Sequence, residues 1–313
     1  MRDIRIIFMG TPDFACGILK TLVENHYSVV ACVTKEDKPV GRKQVMSSPA
    51  VKTLANEYNI PVLQPVSIKS EYQAILDYQP DLIITCAYGQ IIPQVILDYP
   101  KYKCVNVHAS LLPKYRGGAP IHYAVINGDE EAGITIMNMV AKMDAGDILA
   151  QKAIDVDLYD TTAMLFDKLM VVGCDLLMEC LDDYIDGKLT PIVQDESKVS
   201  YAYNISKEME WIDFYRDVMV VYNHIRGLIS WPVGYMMIDT LKIKLHEVDF
   251  VLDKNAVAGK VMGLDSQGLC IGCENGYIVI KSLQVAGKSK QSAKEFMNGY
   301  QNKIMNAYVN KNL

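Results

Sequence analysis

Two short apolar runs, Asp-Leu-Ile-Ile-Thr-Cys-Ala at residues 81–87 and Lys-Cys-Val-Asn-Val-His at residues 103–108, decide the fold of this chain. Both are rich in β-branched residues and almost continuously apolar, which is typical of strands that are covered on both faces. Similar runs occur at Ile4–Met9, Ser28–Thr34 and Gly133–Met139. The sequence therefore predicts a sheet of at least five strands in its first half.

Helix signals lie between these strands. Apolar residues repeat at helical spacing from Phe14 to Val23, and Ser48-Pro49 is typical of a helix start. A longer helical pattern covers about Thr161–Asp186. Strands that alternate with helices predict an α/β domain, residues 1–190, with a Rossmann-like, mostly parallel sheet and helices on both faces. Such sheets bind ligands beyond the carboxyl ends of their strands.

The last third of the chain has a different pattern. The polar segment Gly187–Glu210 predicts a linker, which we place at residues 191–208. Beyond it, Lys242–Leu252 alternates between apolar and polar residues, and glycines separate several short runs. This spacing predicts a smaller C-terminal β-barrel domain, OB-like, over residues 209–313.

Charge is unevenly distributed along the chain. The net charge is -6, but residues 1–205 hold 18 Lys and Arg against 26 Asp and Glu, whereas residues 206–313 hold 13 against 11. After residue 276 there are six lysines and a single acidic residue, Glu295. A basic end on an acidic protein is suited to follow a phosphate backbone. A solvated, lysine-rich helix face is the alternative explanation.

Targeting and membrane signals are weak in this sequence. Met1–Arg5 leads into a strand-like run without an apolar signal region, and no apolar run approaches the ~20 residues that cross a bilayer. The eight cysteines are scattered and mostly lie in apolar segments, where cysteine behaves as a small hydrophobe. We therefore expect a cytoplasmic protein with reduced cysteines and no membrane partner.

Two short motifs have little weight. Met9–Asp13 has the position of a phosphate-binding turn but lacks two of the glycines of a dinucleotide site, so a structural turn or a loop that contacts another ligand is favoured. Cys270-Ile-Gly-Cys273 has the spacing of a zinc pair, but no second pair follows at a suitable distance. We expect no metal.

Polar residues end the strand at residues 103–108. Asn106 and His108 are two positions apart, so their side chains point to the same face, at the carboxyl end of the strand. A buried amide or imidazole without a partner costs roughly 1–3 kcal/mol, so these residues need partners or a function. A hydrogen-bonded histidine that closes the strand is the structural alternative.

The segment from Asn106 to Pro120, Asn-Val-His-Ala-Ser-Leu-Leu-Pro-Lys-Tyr-Arg-Gly-Gly-Ala-Pro, closely resembles the signature of the folate-dependent formyltransferases. The family also carries an Asp 38 residues after the Asn, which is Asp144 here. The chain further resembles the family at Phe8–Ala15, Pro39–Lys43, Ala87–Pro93, Gln194–Glu196 and Ala286–Lys288. The C-terminal part, with Trp231-Pro232, resembles the branch of the family that acts on initiator methionyl-tRNA. Members that act on glycinamide ribonucleotide would end near Glu208.

The resemblance implies a cosubstrate, a partner and a set of site residues. The formyl donor would be 10-formyltetrahydrofolate, the acceptor methionyl-tRNA, and the catalytic residues Asn106, His108 and Asp144. The reduced folate would contact Tyr88, Gly89, Gln90, Ile91, Ile92, Pro93, Ser110, Leu111, Leu112 and Pro113. The basic pair Arg42 and Lys43, in a loop slightly leaner in charge than is usual for the family, is expected to contact tRNA. The C-terminal charge adds Lys281, Lys288, Lys290 and Lys294 to that expectation.

The chemistry that these residues imply is amine attack on a formyl carbon through a tetrahedral intermediate. Asn106 would donate to the oxyanion, and His108 would carry the proton from the amine to the leaving folate nitrogen. Asp144 would orient or charge-stabilise His108, or hold a water that relays the proton. The alternatives are a formyltetrahydrofolate hydrolase, a sugar-amine formyltransferase and a non-catalytic nucleic-acid-binding protein. We expect a monomer.

Overall fold

The computed structural model describes residues 4–40 and 44–311. The described residues group into two compact units. The N-terminal unit takes those of residues 1–120, 132–154 and 166–203, and the C-terminal unit takes those of residues 121–131, 155–165 and 204–313. Each of the two units is therefore made of three segments that are separated in sequence.

The N-terminal unit is built on one large sheet and a small hairpin. The strands of the first half of the chain are β1 (Ile6–Gly10), β2 (Val29–Val33), β3 (Lys38–Val40), β4 (Val45–Ser47), β5 (Val62–Leu63), β6 (Leu82–Cys86), β7 (Cys104–His108), β8 (Glu131–Asn138) and β9 (Ile148–Asp155). The helices of the same part of the chain are α1 (Asp13–Glu24), α2 (Ala50–Glu57), α3 (Gln73–Leu76), α4 (Gln94–Asp98), α5 (Pro120–Ile126) and α6 (Thr162–Ile185). Of these, α5 after its first residue and the first four residues of α6 belong to the C-terminal unit.

The large sheet has seven strands in the order β5-β2-β1-β6-β7-β8-β9. The first five strands of this order pair in parallel, and β8 then runs antiparallel to β7. The strands β3 and β4 form a separate antiparallel pair. This arrangement confirms the predicted Rossmann-like, mostly parallel sheet, and the five strands predicted from β-branched runs are all present within two residues of their predicted ends.

Burial explains why those runs are continuously apolar. All five residues of β1 and all five of β6 are buried. Because successive side chains of a strand point to opposite faces, full burial means that both faces of the sheet are covered. The first turn after β1 is also tight, since a Cβ on Gly10 would lie 2.6 Å from the Cβ of Ala15.

The C-terminal unit is built on a curled antiparallel half-barrel, which confirms the smaller C-terminal barrel domain. Its sheet has the order β10-β11-β14-β13-β12, and β15 pairs with a part of β14 that β13 does not reach. The elements are α7 (Val218–Arg226), β10 (Tyr235–Ile238), β11 (Leu241–Leu252), β12 (Val261–Leu264), β13 (Leu269–Cys273), β14 (Gly276–Val285), β15 (Gln291–Ser292) and α8 (Ala293–Ile304).

The core of this unit lies between its helices and its sheet. Val221 and Ile225 of α7 and Phe296 of α8 are buried with the apolar side chains of the strands. Helix α8 begins with a capping box, in which Ser292 accepts from the Glu295 backbone N–H and the Glu295 carboxylate accepts from that of Ser292. The capping box of α8 and the burial of its apolar face therefore favour the same structure.

The segment predicted as a linker, residues 191–208, has structure of its own. Ile192 exchanges two backbone hydrogen bonds of 2.8 Å with Ile148, at the start of β9. Gln194 is buried, with 5% of its surface exposed. The ends of the predicted domains, at residues 190 and 208, stay a prediction.

Within the part of the chain that the structure describes, no helix is long and apolar enough to span a bilayer. All eight cysteines are free thiols. Burial raises the pKa of both Cys270 and Cys273 to about 12, so these two thiols stay protonated at neutral pH. Such thiols are poor nucleophiles.

Candidate active site

Neighbouring parallel strands bring the predicted site residues to one edge of the large sheet. Strands β6 and β7 pair in parallel, with Thr85 opposite Asn106. The carboxyl ends of the two strands therefore lie side by side, and the segments Tyr88–Pro93 and Ser110–Pro113 both start from this edge. This is the edge at which open α/β sheets bind ligands.

Asn106 is half-buried, and its amide has a defined orientation. The hydroxyl of Thr85, which is buried, donates to Asn106 Oδ1 over 2.8 Å. With its oxygen held in this way, the amide has its two Nδ2–H bonds to offer to another oxygen atom. The sequence pattern predicts no role for Thr85, although a polar residue in an otherwise apolar strand is a signal that could identify it.

His108 is buried, and its surroundings determine where it can accept a proton. Its Nε2 lies 3.0 Å from the Tyr115 carbonyl oxygen. A carbonyl oxygen can only accept, so Nε2 carries the hydrogen and donates it. The neutral imidazole therefore has its lone pair on Nδ1, which makes Nδ1 the atom that can take a proton.

Asp144 faces that atom from the loop between β8 and β9. Its Oδ2 lies 3.8 Å from His108 Nδ1 and accepts a hydrogen bond of 2.8 Å from the Gly117 backbone N–H. The carboxylate is largely shielded from solvent, with 15% of its surface exposed. A proton transferred to Nδ1 would place a positive charge 3.8 Å from this carboxylate, and the two opposite charges attract.

The three side chains together can support acyl transfer. An amide donor can stabilise a developing oxyanion, and an imidazole can take a proton from a nucleophile and return it to a leaving group. A carboxylate can stabilise the imidazolium in between, as in hydrolytic triads. The structure thus brings Asn106, His108 and Asp144 into one constellation, although they are up to 38 residues apart.

The first predicted folate segment, Tyr88–Pro93, offers mainly backbone. The side chain of Tyr88 is buried in the apolar core, and burial raises the pKa of its phenol to about 12. Gln90 is occupied on both ends, accepting from the Ile68 N–H and donating to the Pro65 carbonyl. Ile91, in contrast, has 86% of its surface exposed, and Gly89 has a φ of +81°. An exposed apolar side chain beside accessible backbone is suited to a planar heterocycle.

The second predicted folate segment, Ser110–Pro113, is held by hydrogen bonds to β8 and β9. The Thr135 hydroxyl donates to the Ser110 carbonyl over 2.6 Å, and Gln151 Nε2 donates to the Leu112 carbonyl over 2.7 Å. The Leu112–Pro113 peptide bond is cis. Leu111, the remaining residue of the segment, is half-buried. This segment is thus fixed to the two strands, β8 and β9, whose connecting loop carries Asp144.

The basic residues predicted from charge are placed differently from one another. Lys288, Lys290 and Lys294 are exposed in the C-terminal unit. Lys281 is only partly exposed and forms an ion pair of 3.2 Å with Asp249. Arg42 and Lys43 lie outside the described residues. The described part of the chain holds no group of three or more His, Cys, Asp or Glu side chains arranged to bind a metal ion.

Comparison with known proteins places this chain in a family. Residues 4–181 match the model of the formyl transferase family, and residues 204–301 match that of the formyl transferase C-terminal domain. A protein of Bacillus thuringiensis subsp. konkukian (strain 97-27) named methionyl-tRNA formyltransferase is 48% identical over 301 residues, which cover 95% of this chain and 96% of that one. A protein of Bacillus anthracis with the same name has the same identity and coverage.

Solved structures share the fold at lower identity. HypX from Aquifex aeolicus, in complex with tetrahydrofolic acid, superposes with a TM-score of 0.68 at 17% identity, over 96% of this chain. This chain spans 48% of that protein. An N-formyltransferase from Helicobacter canadensis, in complex with folinic acid and dTDP-3-aminofucose, has a TM-score of 0.67 at 19% identity, over 88% of this chain and 98% of its own.

An open α/β sheet that carries an amide, an imidazole and a carboxylate side chain at its ligand edge is an arrangement that group-transfer enzymes can use. The match of the family model to more than half of the chain, and the 48% identity over nearly all of it, give the particular class. The chain belongs to the formyl transferase family.

The loop that carries Asp144 depends on a close backbone approach at Gly146. A Cβ built on Gly146 would overlap the Asn138 carbonyl oxygen, so no other residue fits there without a shift of backbone. We expect Gly146→Ala to cost about 1–3 kcal/mol of unfolding free energy, as overpacking does. We also expect it to lower formyl-transfer turnover, because the shift moves Asp144. Thermal unfolding and steady-state kinetics measure the two effects.

Gly299→Ala is the matched control for that substitution. Gly299 lies in α8, and a Cβ there has nothing within 4 Å. Alanine is favoured over glycine in a helix by roughly 0.5–1 kcal/mol, so this variant should unfold at the same or a higher temperature. If Gly146→Ala behaved like Gly299→Ala in both measurements, the close approach would not constrain the Asp144 loop.

Proposed function

We propose that this protein transfers the formyl group of 10-formyltetrahydrofolate to the α-amino group of initiator methionyl-tRNA. The observation that carries the proposal is the constellation of Asn106, His108 and Asp144 at the ligand edge of the sheet. The substrate assignment follows the names of relatives that are 48% identical over 95% of the chain. We place the protein in the cytoplasm, as a monomer.

The geometry suggests how the proposed reaction proceeds. The neutral amine attacks the formyl carbon, and the formyl oxygen becomes an oxyanion that accepts from the Asn106 amide. An α-amino group has an ordinary pKa of about 7.7–8.0, so a large fraction is neutral near pH 7.5 without activation. The attacking nitrogen then carries an extra proton, which His108 accepts on Nδ1.

Collapse of the intermediate returns that proton. The bond between the formyl carbon and the folate nitrogen breaks, and that nitrogen takes the proton from His108 as it leaves. Asp144, 3.8 Å from Nδ1, stabilises the imidazolium between the two transfers. A preorganised oxyanion donor is worth roughly 3–4 kcal/mol of barrier in other acyl transfers, which makes Asn106 the largest single contribution we assign.

The acceptor is tested with labelled 10-formyltetrahydrofolate and three conditions: charged initiator methionyl-tRNA, uncharged initiator tRNA, and no tRNA. We expect label in the aminoacyl-tRNA fraction of the first condition alone, because only that condition offers an α-amino group beside a tRNA. Release of labelled formate in all three conditions at equal rates would identify a hydrolase. Label on an amino sugar nucleotide, added as a fourth acceptor, would identify a sugar-amine formyltransferase.

Replacing the proposed proton carrier separates chemistry from binding. We expect His108→Ala to lower kcat by at least ~10²-fold, the usual size of a general acid–base contribution, and to leave the Kd for the reduced folate nearly unchanged. Single-turnover kinetics and folate titration measure the two quantities. Turnover within a few-fold of the wild type would remove His108 from the mechanism.

We assign recognition of the tRNA phosphates to basic residues from two parts of the sequence. The basic pair Arg42 and Lys43 is proposed to contact the tRNA and not the folate. In the C-terminal unit, Lys288, Lys290 and Lys294 are the proposed contacts with the strongest support, because they are exposed around the turn at Gly287 and the start of α8. Lys281 was expected to join them, but its ion pair with Asp249 reduces what it can contribute.

The salt dependence of tRNA binding tests that ranking. Each phosphate contact contributes a slope of roughly -0.7 to -0.9 in a plot of log K against log salt, because bound counterions are released. Changing Lys288, Lys290 and Lys294 to Gln should flatten the plot by about two, while Lys281→Gln should change it by less than one such contact. Equal effects of Lys281→Gln and any one of the other three would contradict the ranking.

A further inference from the structure

Arg116 stands between the two backbone groups that hold the catalytic side chains. The carbonyl of Tyr115, just before it, accepts from His108, and the N–H of Gly117, just after it, donates to Asp144. A shift of the Arg116 backbone would therefore move the hydrogen-bond partners of His108 and Asp144 together. What fixes Arg116 also fixes the spacing between the imidazole and the carboxylate.

Gln194 fixes the Arg116 side chain. The guanidinium is fully buried, and both Nε and Nη2 donate to Gln194 Oε1, over 3.1 and 2.8 Å. The other end of the same amide, Nε2, donates to the carbonyl oxygens of Asp144 and Gly146, over 2.8 and 2.7 Å. One side chain thus accepts from the arginine and donates to the loop that carries the catalytic carboxylate.

These contacts form a closed ring of hydrogen bonds. The ring runs from the Asp144 carboxylate to Gly117, along the chain to Arg116, through its guanidinium to Gln194, and back to the Asp144 carbonyl. We call it the Asp144 ring. The side chain and the backbone of Asp144 are held from two directions, so the carboxylate has little freedom to turn away from His108.

The burial of Arg116 also carries an energetic cost. The Nη1 atom of Arg116 is buried with no hydrogen-bond partner among the described residues. A buried donor without a partner costs roughly 1–3 kcal/mol. The ion pair of Arg116 with Glu196 is half open to water, since 60% of the Glu196 side chain is exposed. Its guanidinium partner and Lys142 hold the pKa of Glu196 down, to about 2.

We infer that Gln194 is a positioning residue for formyl transfer, which acts through Arg116 and the Asp144 ring to hold the Asp144 carboxylate beside His108 Nδ1. This inference rests on the proposed function for the identity of the reaction, but the ring is defined by geometry alone. The carboxylate assists only when His108 is protonated, so Gln194 affects the chemical step. It touches neither the folate nor the acceptor in this assignment.

The test replaces one half of the Gln194 amide. In Gln194→Glu the side chain keeps an oxygen that can accept from Arg116, but both N–H donors to the Asp144 loop are replaced by an oxygen that repels the two carbonyls. We expect kcat to fall by at least ~10-fold while KM for both substrates stays within ~2-fold, as for an interaction made in the transition state. Gln194→Met, which carries no added charge, is used in the same way if Gln194→Glu does not fold.

A double-mutant cycle distinguishes positioning of Asp144 from a general structural role. Gln194→Glu is combined with Asp144→Asn, and turnover is measured as consumption of 10-formyltetrahydrofolate with whichever acceptor the wild type uses. If Gln194 acts through the carboxylate, the double variant should be no slower than Asp144→Asn within ~2-fold, because residues that act as a unit are non-additive. Losses that multiply across the two single variants would overturn the inference.

The control again exchanges an amide and a carboxylate, but at an exposed ion pair. Glu179→Gln removes the carboxylate that pairs with Lys152 over 2.8 Å, where both side chains are roughly half exposed. It should leave kcat unchanged in the wild-type and the Asp144→Asn backgrounds. The double-mutant cycle measures consumption of 10-formyltetrahydrofolate, so its outcome does not depend on the acceptor assay. If the acceptor proved to be another amine, the proposed function would be wrong, but the cycle would still test the role of Gln194 in the Asp144 ring.

Discussion

The parallel pairing of β6 with β7 is the constraint on which the site depends. It places Thr85 beside Asn106, and their hydrogen bond of 2.8 Å sets the direction of the Asn106 amide. The same pairing makes the segments after both strands start from one edge of the sheet. A shift of one residue in this register would turn Asn106 and His108 to the other face, because side chains alternate along a strand. The full burial of β6 opposes such a shift, since it would exchange residues packed on both faces.

The second constraint is chemical and lies in the carbonyl of Tyr115. By accepting from His108 Nε2, this carbonyl directs the basic lone pair of the imidazole to Nδ1, toward Asp144. In hydrolytic triads the carboxylate instead binds the ring nitrogen opposite the reacting one. Here a carbonyl occupies that opposite position, so in the proposed reaction the carboxylate and the transferred proton meet at the same ring atom. The distance of 3.8 Å is longer than a hydrogen bond, so this contact becomes an ion pair only when the imidazole carries a proton on Nδ1.

The sequence predicted the sheet and part of the site, for reasons that particular residues show. The β-branched runs at residues 81–87 and 103–108 could only be buried strands, and period-two geometry then placed Asn106 and His108 on one face. No local rule reaches Asp144, which comes from a loop after an antiparallel strand, so the family resemblance alone pointed to it. Gln194 lies in a polar segment that predicts a linker, yet it is buried. Its partners are 78 and 50 residues away, and local sequence carries no trace of them.

The two parts of the chain differ in net charge, which bears on how each could interact with a tRNA. Residues 1–205 are acidic overall and would repel a polyanion at long range, so attraction must come from local basic groups. Screening limits the reach of an exposed charge to about 8 Å at physiological salt, so a lysine contributes only where a phosphate comes close to it. Lys281 is already paired with the Asp249 carboxylate over 3.2 Å, so it has less charge to offer than an exposed, unpaired lysine would have. A net charge of only +2 after residue 205 is therefore compatible with tRNA binding, provided that the exposed lysines near α8 lie close to the phosphate backbone of the tRNA.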